Sequence, residues 1–260
     1  MKKQSAKKNV PVKKAASSKE AKVTLKIADE IARDLVRQIA ERNLKPGAAL
    51  PHEKTMIAQY GVGRASIREA LRIIESQGLI YLKPGRHGGP VLLGTGAEQM
   101  AKFLTLFLRL SNATYGDLAE FMLTVSPRLA ELAAANPDRA AVQKAIKLDD
   151  INPCGLVHGT LGEGGFALGP HATVNRLARN PVLGMFADAV DAVFSSHSIA
   201  ITKGEDFLDI AEKDHHAIAQ AVLDRKPERA RQLMRKHIER LTEYTFSRAP
   251  KLSSQKIEWR

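Results

Sequence analysis

The arginines Arg64, Arg68 and Arg72 recur every four residues along the stretch GVGRASIREALRIIESQGL, residues 61–79. That spacing aligns side chains on one stripe of a helix. The opposite stripe, Ile67, Ala70, Leu71 and Ile74, is apolar and suited to packing. A guanidinium can fork onto O6 and N7 of guanine, giving about 1–3 kcal/mol of discrimination per good pair. Ala65 and Ser66 are small enough to admit close approach, and the Ser66 hydroxyl can bond a phosphate or a base. The stripe is therefore either a nucleic-acid contact or a solvated basic face.

Imidazole is the second chemistry. His215 shares a helical face with Ala211, Ile218 and Val222, and His237 shares one with Ala230, Leu233, Leu241 and Tyr244. His171 falls with Val174 and Ala178. The phase predicts three inward histidines on three different helices, whereas His216 turns about 100° away, beside Asp209 and Lys213. Such histidines are either hydrogen-bonded core residues or ligands converging on a divalent ion of the Zn, Ni or Mn class.

The elements that must position these groups follow from periodicity. Ile27, Ile31, Leu35 and Ile39 define an amphipathic helix from Leu25 to Arg42, broken by NLKPGAALP. A short helix over Glu53–Gln59 stops at YGVG, and a second runs from Arg64 to Gln77, with Gly78 suited to a left-handed terminus. LIYLK and PVLL read as strands joined by the turn PGRHGG. Helix, helix-turn-helix and hairpin together make a winged helix-turn-helix. In that fold the head of the second helix reaches base edges in the major groove, which assigns Arg64, Ser66 and Arg68 to DNA. Arg86 and His87, on the turn, would reach the minor groove or the backbone.

Beyond the hinge GTGAE the pattern is helical. AEQMAKFLTLFLRL and YGDLAEFMLTVSPRLAELAAA are long apolar-rich helices, the second predicted to kink near Pro127. PDRAAVQKAIKL opens a helix with Pro137 in its first turn. Residues 152–170 hold six glycines and two prolines and read as a loop or broken helix. Three more helices are expected over 171–200, with a break at Asn180-Pro181, then 205–224 and 227–247. The expected fold is mainly α. Residues 1–22 form a disordered Lys-rich tail, 23–94 the winged domain, 97–247 an all-α bundle of six or seven helices, and 248–260 a C-terminal tail.

Charge divides along the same line. The chain carries a formal +12, and residues 1–96 hold 19 Lys and Arg against 8 Asp and Glu. Residues 1–22 alone carry eight lysines and one acid, too little apolar surface to offset ordering entropy. A basic block of this kind favours a polyanionic partner, with DNA the better match than a membrane surface. No apolar run reaches the ~18 residues needed to span a bilayer. The single cysteine, Cys154, and the absence of a secretory h-region point to the cytoplasm.

The stretch LPHEKTMIAQYGVGRASIREALRIIESQGLIYLKPGRHGGPV resembles the DNA-binding domain of GntR-family bacterial transcription regulators. The all-α remainder resembles the FCD effector domain of the FadR subfamily, and the likeness spans roughly residues 25–245. The family's DNA-contacting arginines fall on Arg64 and Arg68. A third falls on Lys54, which keeps the charge but not the fork and suits a phosphate. The serine usual before that glutamate is His52, a weaker N-cap.

Many FCD domains hold a metal through three histidines and a carboxylate one turn before the first. The resemblance places the histidines at His171, His215 and His237, the last two through HHAIAQAV and MRKHIERL. The carboxylate position is Ala167. That implies a metal with three protein ligands, recruitment of another group such as Glu163, or an empty site. Met122 stands where the family has an inward arginine.

The function expected is that of a non-enzymatic, ligand-responsive regulator. It would bind a palindromic double-stranded operator as a homodimer, with a small carboxylate or acyl derivative in the helical domain modulating affinity. Two other readings stand beside it. One is an architectural DNA binder whose helical domain only dimerises. The other is a metal-dependent hydrolase with an accessory DNA-binding domain, against which no general-base carboxylate pairs with the histidines.

Overall fold

The computed structural model describes residues 18–85, 88–93, 97–150, 169–202 and 205–258. It is mainly α-helical and divides into two compact units that part between Leu92 and Leu93.

The first unit opens with α1 (Ser18–Glu41), seven residues ahead of the expected start. Residues 18–22, assigned to the tail from composition, are helical because Lys19, Glu20, Ala21 and Lys22 are good helix formers continuous with the amphipathic run. Residues 1–17 lie outside the described residues. α1 buries Ala28, Ile31, Ala32, Leu35 and Ile39 against α3 (Arg64–Ser76), which contributes Ile67, Ala70, Leu71 and Ile74. Between them α2 (Glu53–Tyr60) buries Met56, and Gly61 closes it in the left-handed conformation at φ 63°. Gly78, at φ 70°, turns the chain from α3 into the wing.

The wing pairs β1 (Ile80–Lys83) with β2 (Gly89–Leu92) in antiparallel register, Ile80 opposite Leu92 and Lys83 opposite Gly89. Its second edge is covered, which the breaker-rich NLKPGAALP did not suggest. Leu50 N–H donates to the Pro90 carbonyl at 2.9 Å, and Leu92 N–H donates to that of Ala48 at 2.9 Å. Ala48–Leu50 thus occupies an edge that would otherwise be open to pairing. His52, at the N-cap of α2, makes no side-chain cap. Its ring lies against Gly89, where a Cβ would come within 2.9 Å of His52 Nδ1.

The second unit contains seven helices among the described residues. They are α4 (Ala97–Leu110), α5 (Tyr115–Ala134), α6 (Arg139–Asp150), α7 (Pro170–Leu177), α8 (Pro181–Thr202), α9 (Glu205–Leu223) and α10 (Pro227–Arg248). α5 and α10 are the most extensively packed pair. α5 begins with a capping box, Thr114 Oγ1 accepting from Asp117 N–H while Asp117 Oδ2 accepts from Thr114 N–H. It continues through Pro127 as one helix. Pro137 stands before α6, and Asp138 does the capping, its Oδ1 accepting from Ala141 N–H at 3.0 Å. Arg139 then donates to the Val222 and Leu223 carbonyls, satisfying the last turn of α9. The glycine-rich stretch 152–168 lies outside the described residues.

After α10 the chain does not trail into solvent. Ile257 N–H donates to the Ala113 carbonyl, Tyr115 N–H to Gln255 and Gly116 N–H to Ser253, and the side chains of Leu252 and Ile257 are buried in the core. Residues 249–258 form a strap across the head of α5.

Candidate nucleic-acid interface and histidine cluster

Arg64, Arg68 and Arg72 are exposed at the head and along one stripe of α3. They are not equivalent. Arg68 Nε lies 3.4 Å from Glu53 Oε1 on α2, and Arg72 pairs with Glu69 on its own helix at 3.5 Å. Arg68 and Arg72 thus each have a carboxylate nearby. Lys54 is exposed one residue beyond Glu53. Ser66, the third residue of α3, is buried where Arg64 and Arg68 are exposed. It is 8% exposed, because it sits four residues before Ala70 on the edge of the buried stripe. Arg86 and His87 lie outside the described residues.

In the second unit, α7, α9 and α10 deliver His171, His215 and His237 to one point. The three Nε2 atoms form a triangle with edges of 3.0, 3.2 and 3.3 Å. An ion bound at about 2.1 Å from each imidazole nitrogen requires edges of about 3.0–3.4 Å, so the donor set fits a zinc-class cation. His237 is 3% exposed, and burial holds it below its ordinary pKa, which favours the neutral ring a metal needs. His216 is exposed and bonds the Glu212 carbonyl through Nδ1. Glu163 and the Ala167 position lie outside the described residues.

Sequence reading missed the carboxylates around the cluster. Asp214 Oδ2 is 3.4 Å from His237 Nδ1, and its Oδ1 accepts from Arg240 at 2.8 Å. Asp191 Oδ2, on α8, is 3.4 Å from His171 Nδ1. One turn earlier, Asp188 accepts from Asn175 Nδ2 at 2.7 Å, and burial pushes its carboxyl up to about 6. The available signals were the Asp-His-His run and the three-residue spacing of Asp188 and Asp191. Met122 is buried in the core of this unit.

Comparison with known proteins decides the identity of both units. Residues 27–87 match the family described as bacterial regulatory proteins, gntR family, and residues 168–240 match the FCD domain. The chain belongs to the GntR family. It is a transcription regulator carrying a GntR winged domain followed by an FCD domain. It is 26% identical over 205 residues to the HTH-type transcriptional regulator Rv0494 of Mycobacterium tuberculosis, covering 78% of this chain and 82% of that one. It is 22% identical to the HTH-type transcriptional repressor NanR of Citrobacter rodentium, covering 82% and 83%. A solved GntR structure from Streptococcus agalactiae shares the fold with a TM-score of 0.59 at 22% identity, over 82% of this chain and 97% of that chain. Among the described residues of this GntR regulator, no helix is long and apolar enough to cross a membrane.

Proposed function

We propose that this regulator is a cytoplasmic homodimer that represses from a palindromic operator and is released or tightened by a small carboxylate or acyl derivative bound at a metal in the FCD domain. The observation that carries this reading is the triangle of histidine nitrogens in a chain whose α3 presents Arg64 and Arg68. Arg64 and Arg68 read base edges, Lys54 holds a phosphate, and Arg86 and His87 extend the contact from the wing. His171, His215 and His237 would hold the ion, which when bound supplies open coordination positions to an effector oxygen. A carboxylate oxygen entering such a position would displace a bound water and add the negative charge that three imidazoles do not supply.

Dimerisation is supported by α4, where Phe103, Phe107 and Leu110 lie on one face and are exposed, Phe107 by 64%. Val182 and Phe186 are exposed on α8, which packs on α4. Repression follows the name of the NanR relatives. An effector can shift operator affinity only by binding one arrangement of the dimer better than the other.

The deciding experiment selects a duplex from random sequence with the purified protein, then measures binding by anisotropy with Zn2+ and a panel of small carboxylates. Two protomers per palindromic duplex, with affinity moved by one carboxylate only when metal is present, support the reading. Uniform affinity for all duplexes and indifference to carboxylates would favour an architectural DNA binder. Metal-dependent turnover of a carboxylate ester would favour the hydrolase.

A further inference from the structure

We propose that Asp191 and Asp214 are positioning residues of the metal site, supplying through His171 and His237 the negative charge that Ala167 cannot supply directly. The proposal rests on the metal reading above. A neutral imidazole has one N–H, and the group facing each ring nitrogen decides where it sits. Carboxylates face Nδ1 of both His171 and His237. They draw the proton to Nδ1 and leave both Nε2 lone pairs pointing at one spot, 3.0 Å apart. Two lone pairs at that distance repel, and a cation between them removes the repulsion.

Charge makes the second argument. Three imidazoles leave a divalent ion un-neutralised, and a carboxylate hydrogen-bonded to a ligand histidine raises that ligand's basicity. The two carboxylates are not equal. Asp214 shares its charge with Arg240, whereas Asp191 Oδ1 is buried and takes no hydrogen bond among the described residues. Asp191 therefore delivers the larger share, and α8 becomes a contributor to a site whose ligands all stand on other helices.

The test uses the full chain and Co2+ alone, with affinity read by competition against a chelating dye. Asp191→Asn keeps the size and the hydrogen-bond acceptor and removes the charge. It should weaken Co2+ binding about 10–100-fold, and Asp214→Asn should weaken it less. A readout independent of affinity is proton NMR of the Co2+-loaded protein. Wild type should show hyperfine-shifted, exchangeable Nδ1–H signals from His171 and His237, with the His171 signal exchanging faster in Asp191→Asn. Wild-type affinity and unchanged exchange in Asp191→Asn, with binding lost in His215→Ala, would overturn the positioning role and leave the metal site standing. Unchanged binding in His215→Ala would overturn the metal site itself, and the positioning role with it.

Discussion

Arg68 Nε lies 3.4 Å from Glu53 Oε1, so a carboxylate of the first helix of the helix-turn-helix pairs with the arginine of the second that we propose reads bases. An acid is a poor neighbour for a phosphate backbone unless it does something for the cation beside it. Pairing through Nε leaves the two terminal nitrogens of the guanidinium to donate elsewhere.

Arg64→Ala and Arg68→Ala should each cost on the order of 1–3 kcal/mol of operator affinity and relax the site preference. Glu53→Gln should act differently. It removes a negative charge, so binding to arbitrary DNA rises or stays level while the ratio of specific to nonspecific affinity falls. Anisotropy titrations on the selected duplex and a scrambled one separate the two effects. A preserved ratio in Glu53→Gln would show that Glu53 does not orient Arg68.

Removing residues 2–17 deletes six lysines and spares α1, which begins at Ser18. The log–log salt slope of nonspecific binding should flatten by roughly 0.9 for each phosphate no longer neutralised, with operator preference intact. Equal slopes for the truncated and intact proteins would make the lysines bystanders.

The neighbours His215 and His216 should part company. His215→Ala removes one corner of the nitrogen triangle and should abolish the rise in melting temperature on adding Zn2+ to chelator-treated protein. His216→Ala, with its ring in solvent, should keep that rise in full. Equal behaviour of the two variants would reduce the triangle to packed core histidines.

Asp188 gives a pH dependence with a defined sign. Its carboxyl is raised from 3.8 to about 6, chiefly by burial, so the folded protein keeps a proton that the unfolded chain has released. Its favourable contribution is complete below pH 3.8 and is lost as pH climbs to about 6. Asp188→Asn keeps an acceptor for Asn175 and should stabilise the metal-free protein at pH 7.5 by on the order of 1–3 kcal/mol, with little gain at pH 4. Urea denaturation with chelator at the two pH values checks this. A variant less stable than wild type at pH 7.5 would contradict the assigned cost of ionisation.

What was legible in the sequence is what repeats. The apolar stripe of α3, the glycine after it and the inward phase of the three histidines are properties of single helices. Ser66 sits on the boundary of a stripe, where phase alone does not say which way a small side chain turns. Asp191 and Asp214 are polar residues on otherwise ordinary helices, and only the packing of α8 and α9 brings them to the imidazoles of other elements. Ala48–Leu50 was hidden by its prolines, since three extended residues have too little length for a pattern. Leu252 and Ile257 are isolated apolar residues with no periodicity between them, so nothing local marks them as core.

The strap that carries those two residues has a kinetic consequence. Lys256 bonds Asn112 across 144 positions of chain, beside the Ile257–Ala113 link. Closing a loop of that length costs about 4 kcal/mol of chain entropy before its contacts repay it. The winged unit is assembled from neighbours a few dozen residues apart and needs no such meeting of distant segments. Contact order therefore makes the FCD unit the slower of the two to reach its native state. During refolding the winged unit is therefore expected to be complete while Leu252 and Ile257, the last core residues of the FCD unit, are still undocked.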